Sequence, residues 1–478
     1  MDVQTISPSE RPSPPGLGEV PALPALVLVM GALASIAAFA TDEPLMILAL
    51  VAGAALFMLT GLSLELLLMG MILNLMMGSA RLFESSILNV NRLLGIAILG
   101  GLMIRFVLVG AHRINLTRIT GVIAVFGAAV FIGAIFAVNQ GLALSSMRHY
   151  IRVFLVFFLV ANLIPDRRWL RWQILAIVGG GVLLVLAGFA QGYDVYAQRS
   201  GGILSYQDYN AFGLVLVTVL PLAVWGMRHE PSGLLRLVHT LAMVMLLVGV
   251  FQSKSRGALV GIVIMGGVLF AAREWNRKWI LPLVLIAAIG LPLVAGDVLE
   301  RFATVLEIFT KDPGNLSGDA QNVMNRINYV RAGIPMFLEH PITGVGSMNF
   351  PDQYIVYMPR DSWWRVPRAA HNTYLQVVTE TGLLGSIPYF LLLLWLFQAA
   401  RGIHLRTLPS PEGRREEKPR EFPPDPLISS VSIHIVASLA VYCTGIIFLA
   451  ALTMDVFWIL AGMVSALVVL HREPESSG

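Results

Sequence analysis

The sequence predicts an all-α polytopic membrane protein of about 14 transmembrane helices (range about 12–14), with one long, partly helical extracytoplasmic loop. Three observations predict it. Hydrophobic residues make up 56% of the 478, and charged residues only 13%, where soluble chains carry about 25% charged. Mean hydropathy is +0.74. The apolar residues gather in runs long enough to cross a bilayer, which takes roughly 17–25 residues. This composition excludes ordinary soluble domains. The formal net charge of +4 is spread over short loops between apolar runs, which argues against a nucleic-acid surface. Cys443 is the only cysteine and lies in an apolar run, so neither an intrachain disulfide nor a multi-cysteine metal site can form.

Residues 1–23 are polar and rich in Pro and Ser, and read as a disordered cytoplasmic head without a cleavable signal. Residues 24–296 hold transmembrane helices 1–11, with candidate spans near 24–40, 44–60, 62–79, 93–111, 119–138, 149–164, 170–190, 207–226, 234–251, 256–272 and 279–296. The run at 149–164 is interrupted by Arg152, and 44–60 and 62–79 lie close together, so a partial or re-entrant helix is open at either place. Residues 297–383 form the extracytoplasmic loop. Residues 384–470 supply transmembrane helices 12–14, near 384–400, 429–451 and 455–470, interrupted by a flexible cytoplasmic linker at 401–427 with five prolines among mixed charges. Residues 471–478 are a cytoplasmic tail.

Basic residues assign the orientation, because cytoplasmic loops carry an excess of Lys and Arg. With the N-terminus inside, Arg113 and Arg118, Arg167 to Arg171, Arg228 and Arg236, Arg273 to Lys278, and the cluster from Arg401 to Arg420 all face the cytoplasm. Losing one span would invert every loop on one side of it and spoil this bias. The outward loops hold few basic residues, so those present need a reason.

Three outward features provide candidates. Arg199 and Gly202 precede Asp208 and Asn210 at the start of a span. Ser253-Lys254-Ser255-Arg256-Gly257 forms a basic hairpin between two spans. The long loop carries Asn325 to Arg331, then His340-Pro341-Ile342-Thr343-Gly344-Val345-Gly346, and ends in Ala370-His371-Asn372-Thr373-Tyr374-Leu375-Gln376 with Glu380, Gly382 and Gly385 beyond. Each has an ordinary explanation. An isolated outward arginine serves as an interfacial anchor, the glycines permit a tight turn, and Val323, Ile327, Val330, Ile334 and Phe337 recur as on an amphipathic surface helix whose solvated face would hold Arg326 and Arg331. Their combination points further. On a helix starting near 371, Asn372, Gln376 and Glu380 fall on one stripe. A polar stripe near external arginines suits an anionic lipid-linked substrate, since arginine binds phosphate bidentately and stays charged.

These residues resemble the O-antigen ligase family, which includes O-antigen and exopolysaccharide polymerases. The resemblance rests on His371-Asn372-x-Tyr374-Leu375-Gln376 with Glu380-x-Gly382-Leu383-Leu384-Gly385, on Arg326 followed by His340-Pro341-x-x-Gly344-Val345-Gly346, on Ser255-Arg256-Gly257, and more weakly on Arg199, Gly202 and Asn210. It covers about 199–400. Val330 stands where the family often has tryptophan, and the N-terminal third carries no matching motif. The resemblance implies a multi-pass protein of the bacterial inner membrane that transfers a glycan from a polyprenyl (undecaprenyl) diphosphate to lipid A-core or another acceptor on the periplasmic face. It implies His371 as catalytic base, Arg256, Arg326 and Arg199 as diphosphate ligands, and Asn372, Tyr374, Glu380, Arg331 and Asn210 in support. The donor already carries its leaving group, so no cofactor is expected. Arginines can neutralise the diphosphate without a metal, and the outer loops hold no paired-carboxylate DxD arrangement.

Two other functions compete. A polymerase would hand the glycan to another lipid-linked repeat, and the shared motifs do not separate it from a ligase. A lipid-linked glycan transporter or flippase would use charges within spans, for which Glu65, Arg105, Arg152, His239 and His434 are candidates. They are scattered, and the two halves show no repeat of motifs.

Overall fold

The computed structural model describes residues 63–77, 114–190, 208–274, 316–358, 366–408 and 424–472, isolated helical positions between 91 and 102 and at 310, and the backbone of two short strands. The expected spans at 24–40, 44–60 and 279–296, and most of 93–111, lie outside these residues, as do the N-terminal head, most of the linker and the last residues of the tail.

The described residues form α1 (Leu64–Met76), α2 (Arg118–Ile135), α3 (Gln140–Asn162), α4 (Arg167–Ala190), β1 (Tyr193–Asp194), β2 (Arg199–Ser200), α5 (Tyr209–His229), α6 (Gly233–Gln252), α7 (Arg256–Ala271), α8 (Gly318–Glu339), α9 (Phe350–Tyr357), α10 (Thr373–Thr407), α11 (Pro426–Gly445) and α12 (Asp455–Leu470). The strands make a two-residue antiparallel ladder, with Asp194 opposite Arg199. Seven helices, α2 to α6, α10 and α11, are long and apolar enough to cross a membrane, and α1, α7 and α12 are shorter apolar helices. The chain is therefore a multi-pass helical membrane protein.

Helix starts follow from local chemistry. Thr117, Asn139, Asp208, Ser232, Ser255, Ser317, Asn372 and Asp425 each accept a hydrogen bond from a first-turn backbone N–H, satisfying groups that have no intrahelical partner. α5 and α11 are buried along most of their length and pack on each other and on α7; α10 packs on α2 and α11, and α12 on α3. α6 turns Leu234, Leu237, Leu241, Val244 and Val248 outward, a stripe at three- and four-residue spacing that suits a lipid-facing helix.

Two expectations shift. The run at 149–164 belongs to α3, which begins at Gln140. Arg152 does not interrupt it, because its guanidinium pairs with Asp455 at 3.4 Å. A charge within a span is tolerated when it is paired. The helix expected from 384 starts at Thr373 and runs to Thr407. Its extra turns are polar, so hydropathy alone does not find them.

α10 is broken at Gly382, whose φ of 57° and ψ of −159° are not helical. The turn after α8 repairs the break. Val345 and Gly346 N–H donate to the carbonyls of Thr379 and Glu380 at 2.9 and 3.0 Å, and Leu383 and Leu384 N–H donate to those of Pro341 and Ile342 at 2.8 and 3.0 Å. Backbone groups left unpaired at membrane depth would cost several kcal/mol each. The His-Pro-x-x-Gly-Val-Gly turn is thus the patch that lets a helix break there. Asn349 ties the same turn to the α2–α3 connection through Asn139.

These contacts sort the connections into two groups. Residues 137–139, 345–349, 371–373 and 446–451 lie together at one end of the bundle. At the opposite end, Arg167 pairs with Asp425 at 2.7 Å, Asp425 N–H donates to Thr407, and His229 meets Glu274 and His434.

Candidate functional site

Asp208 and Ser255 cap α5 and α7 where these helices open onto a cavity of about 630 Å³, within the range of ligand pockets, roughly 300–1,000 Å³. Asn210 and Leu214 come from α5; Lys254 to Ala258 and Val260 from the α6–α7 turn; Asn322, Val323, Asn325, Arg326 and Tyr329 from α8; Arg368 and His371 from the stretch before α10; and Gly445, Phe448 and Leu449 from the end of α11 and beyond.

Local sequence explains the convergence. Ser253 ends α6 by donating to Val250 O, its hydroxyl accepts from Ser255 N–H, and Ser255 then caps α7. This chain of serines makes the hairpin tight enough to present Lys254 and Arg256 side by side. Lys254 and His371 both have φ of 46°, a left-handed conformation uncommon outside glycine. Two such residues on one cavity fit the tendency of backbone strain to gather at functional sites. Past His371, Thr373 fastens the start of α10: its N–H donates to Ile446 O, its hydroxyl donates to Leu449 O, and Ala451 N–H donates to that hydroxyl.

The cavity is strongly basic. Lys254, Arg256, Arg326 and Arg368 supply four cationic side chains, and the described lining holds no carboxylate. The first turns of α5 and α7 add the positive ends of two helix dipoles, an arrangement that favours phosphate. Arg326 donates to Phe448 O at 3.4 Å and lies over the Phe448 ring, 5.5 Å from its centre. His371 stacks at a tilt on Tyr329, with ring centres 5.7 Å apart. Burial pushes the imidazole below its ordinary pKa; Asp208 opposes this, and Arg326 and Arg368 act with burial. A histidine held neutral near pH 7 is in the form that can accept a proton.

The structure thus brings together His371, Arg256, Arg326 and Asn210 from four separate chain segments. It gives the backbone position of Arg199 on β2, while the guanidinium lies outside the described residues. The other candidates stand away from the cavity wall. Asn372 caps α10 by accepting from Leu375 N–H at 3.0 Å. Tyr374 donates its hydroxyl to Cys443 O at 2.8 Å. Glu380 is buried, where it accepts from Gln376 at 3.1 Å and from Phe350 N–H at 3.4 Å and so holds the turn that patches Gly382. The expected stripe of Asn372, Gln376 and Glu380 exists as a structural seam. Arg331 is exposed on α8, away from the lining.

Three lining groups went unassigned in the sequence. Lys254 was visible only as part of the basic hairpin. Tyr329 stands three residues after Arg326, one helical turn away on the same face. Arg368 stands three residues before His371 and reaches the Tyr329 hydroxyl; as an arginine next to the histidine motif it could have been found. No curated protein matches the chain. Residues 241–390, which span the basic hairpin, α8 and the histidine at the head of α10, match the family model described as O-antigen ligase.

Proposed function

We propose that the protein transfers a glycan from a polyprenyl diphosphate to an acceptor hydroxyl within this cavity, on the periplasmic side of the bacterial inner membrane, with both termini in the cytoplasm. The observation that carries the proposal is the meeting of a half-buried, neutral-leaning imidazole with three guanidinium groups and a lysine. Arg256 and Arg326 grip the diphosphate, with Lys254 and Arg368 adding charge and Arg199 assisting from β2. The acceptor oxygen attacks the anomeric carbon, the bond from that carbon to the diphosphate oxygen breaks, and the proton passes to His371. The lipid diphosphate leaves as an anion whose developing charge the arginines stabilise. Cationic side chains do the work that a divalent ion does elsewhere, so the reaction is metal-independent.

The test is reconstitution of the purified protein with a polyprenyl-diphosphate glycan and candidate acceptors, following release of the lipid diphosphate. His371→Ala inserts and folds but gives no transfer; retained transfer removes His371 from the mechanism. The acceptor is lipid A-core or a similar molecule. In a deletion strain, intact lipid-linked polymer left unattached identifies a ligase, and a lost glycan ladder identifies a polymerase. Movement of the substrate across liposomes with its covalent structure intact would support a flippase instead.

A further inference from the structure

The other end of the bundle holds a second cluster. One ring nitrogen each of His229 and His434 and one carboxylate oxygen of Glu274 lie within 4.8 Å of one another. His229 ends α5, Glu274 follows α7, and His434 lies in α11. α5 runs from Asn210 at the cavity to His229, roughly 28 Å away at ~1.5 Å per residue, so the cluster is remote from the chemistry.

The cluster is built rather than casual. His434 is fully buried, and its Nδ1–H donates to Ser430 O at 2.7 Å. That bond fixes the tautomer and leaves Nε2 as a bare lone pair, and Nε2 has no hydrogen-bond partner among the described residues. A backbone carbonyl on one nitrogen with the other nitrogen open is how metal-binding histidines are oriented. His229 Nε2 meets Glu274 Oε2 at 3.1 Å, close to the separation of neighbouring ligands around a tetrahedral ion, and the imidazole rings of His229 and His434 are 5.6 Å apart between centres. Glu274 is delivered by an unusual turn. Arg273 takes φ of 58° where a helix C-terminus ordinarily uses glycine, and Glu274 N–H returns to Leu269 O. Protons alone satisfy only part of this group, because the one on His229 serves Glu274 and none reaches His434 Nε2. A divalent cation satisfies all three.

We propose that His229, Glu274 and His434 form a binding site for a zinc-class divalent cation, with water as fourth ligand. Two imidazoles and one carboxylate are the donor set such ions favour over magnesium or calcium. The ion clips together α5, α7 and α11, three helices that all reach the cavity at their far ends. Arg228 lies within electrostatic reach of Glu274, and its charge opposes a cation, so it holds the affinity below what the ligands alone would give.

The experiment uses full-length, tag-free protein in detergent, titrated calorimetrically with Zn²⁺ and optically with Co²⁺. One zinc binds per chain, and Co²⁺ gives the intense visible bands of a tetrahedral site. Glu274→Gln and His434→Gln each weaken zinc at least tenfold, Arg228→Gln tightens it, and His149→Ala changes nothing. Zinc raises the melting temperature of the unaltered protein but not of Glu274→Gln, and Glu274→Gln transfers glycan at the normal rate. Equal zinc affinity in Glu274→Gln and the unaltered protein, or Co²⁺ bands of the weak octahedral kind, overturns the proposal. Glu274 lies in a partly exposed turn, so its variant folds and keeps the test decisive even if the His434 variant does not. The result is independent of the transfer reaction, whose failure would be seen in the His371→Ala comparison.

Discussion

At His371, the sign of each neighbouring charge makes a prediction. The base must be neutral, so activity falls as pH drops through the imidazole pKa, which lies below the ordinary value of about 6.5. Arg368→Gln removes a positive neighbour, which raises that pKa and moves the acid limb of kcat/KM to higher pH. Asp208→Asn removes a negative neighbour and moves the limb lower, and it keeps the helix cap, because asparagine caps about as well as aspartate. A pH–rate profile for each variant checks both directions, and limbs that do not move would take His371 out of the proton transfer. The arginines make a prediction in magnitude. A hydrogen bond to a charged group contributes about 1.5–3 kcal/mol, so Arg256→Gln and Arg326→Gln each lower transfer roughly tenfold to a hundredfold, measured as lipid diphosphate released.

At the scale of the element, the break in α10 is the device to probe. Gly382 combines positive φ with an extended ψ, a region open almost only to glycine. A Cβ there would also strike the backbone of Ile342, and one on Gly344, with φ of 68°, would strike the backbone of Glu380. Gly382→Ala therefore costs on the order of 1–3 kcal/mol for the conformation, before any displacement of the turn. The expected result is a lowered melting temperature together with lost transfer, because the turn that patches the break also sets the approach of α8 and Arg326. A Gly382→Ala protein with normal melting and normal rate would show that the kink is dispensable. Glu380 belongs to this device: its carboxylate receives a backbone N–H of the α8–α9 connection, which makes it a positioning residue for the turn.

For the whole molecule, the structure separates two ends, and the proposed orientation assigns them to two compartments. In a Cys443→Ala background, a membrane-impermeant thiol reagent applied to spheroplasts should modify Asn322→Cys at the cavity and leave Pro231→Cys untouched until the membrane is opened. The reverse pattern would put the cavity on the cytoplasmic side and end the proposed reaction with a periplasmic acceptor. The same two-ended layout keeps the proposed metal site away from the diphosphate site, so metal binding and glycan transfer can be measured as separate properties of one protein.

Much of this was legible in the sequence, because bilayer thickness and the cost of exposing backbone to lipid make apolar runs a direct record of helices. The expected runs at 119–138, 170–190, 207–226, 234–251, 256–272 and 455–470 match α2, α4, α5, α6, α7 and α12 to within a few residues. Residue chemistry also marked His371, Arg256 and Arg326, since each sits where hydropathy gives no reason for a polar group. Four matters were decided only by tertiary structure. Arg152 is carried within a span by Asp455, distant in sequence. The start of α10 is fastened by Thr373 to the stretch after α11, and its break at Gly382 is completed by the turn after α8. Glu380 faces the turn and not the cavity. Arg368, Lys254 and Tyr329 join the site because two loops and α8 meet there. Hydrophobicity is a property of each residue and its near neighbours, and one chain records it in order. The pairing of charges, the repair of a broken helix and the meeting of distant loops depend on which surfaces touch, and that is settled only when the helices pack.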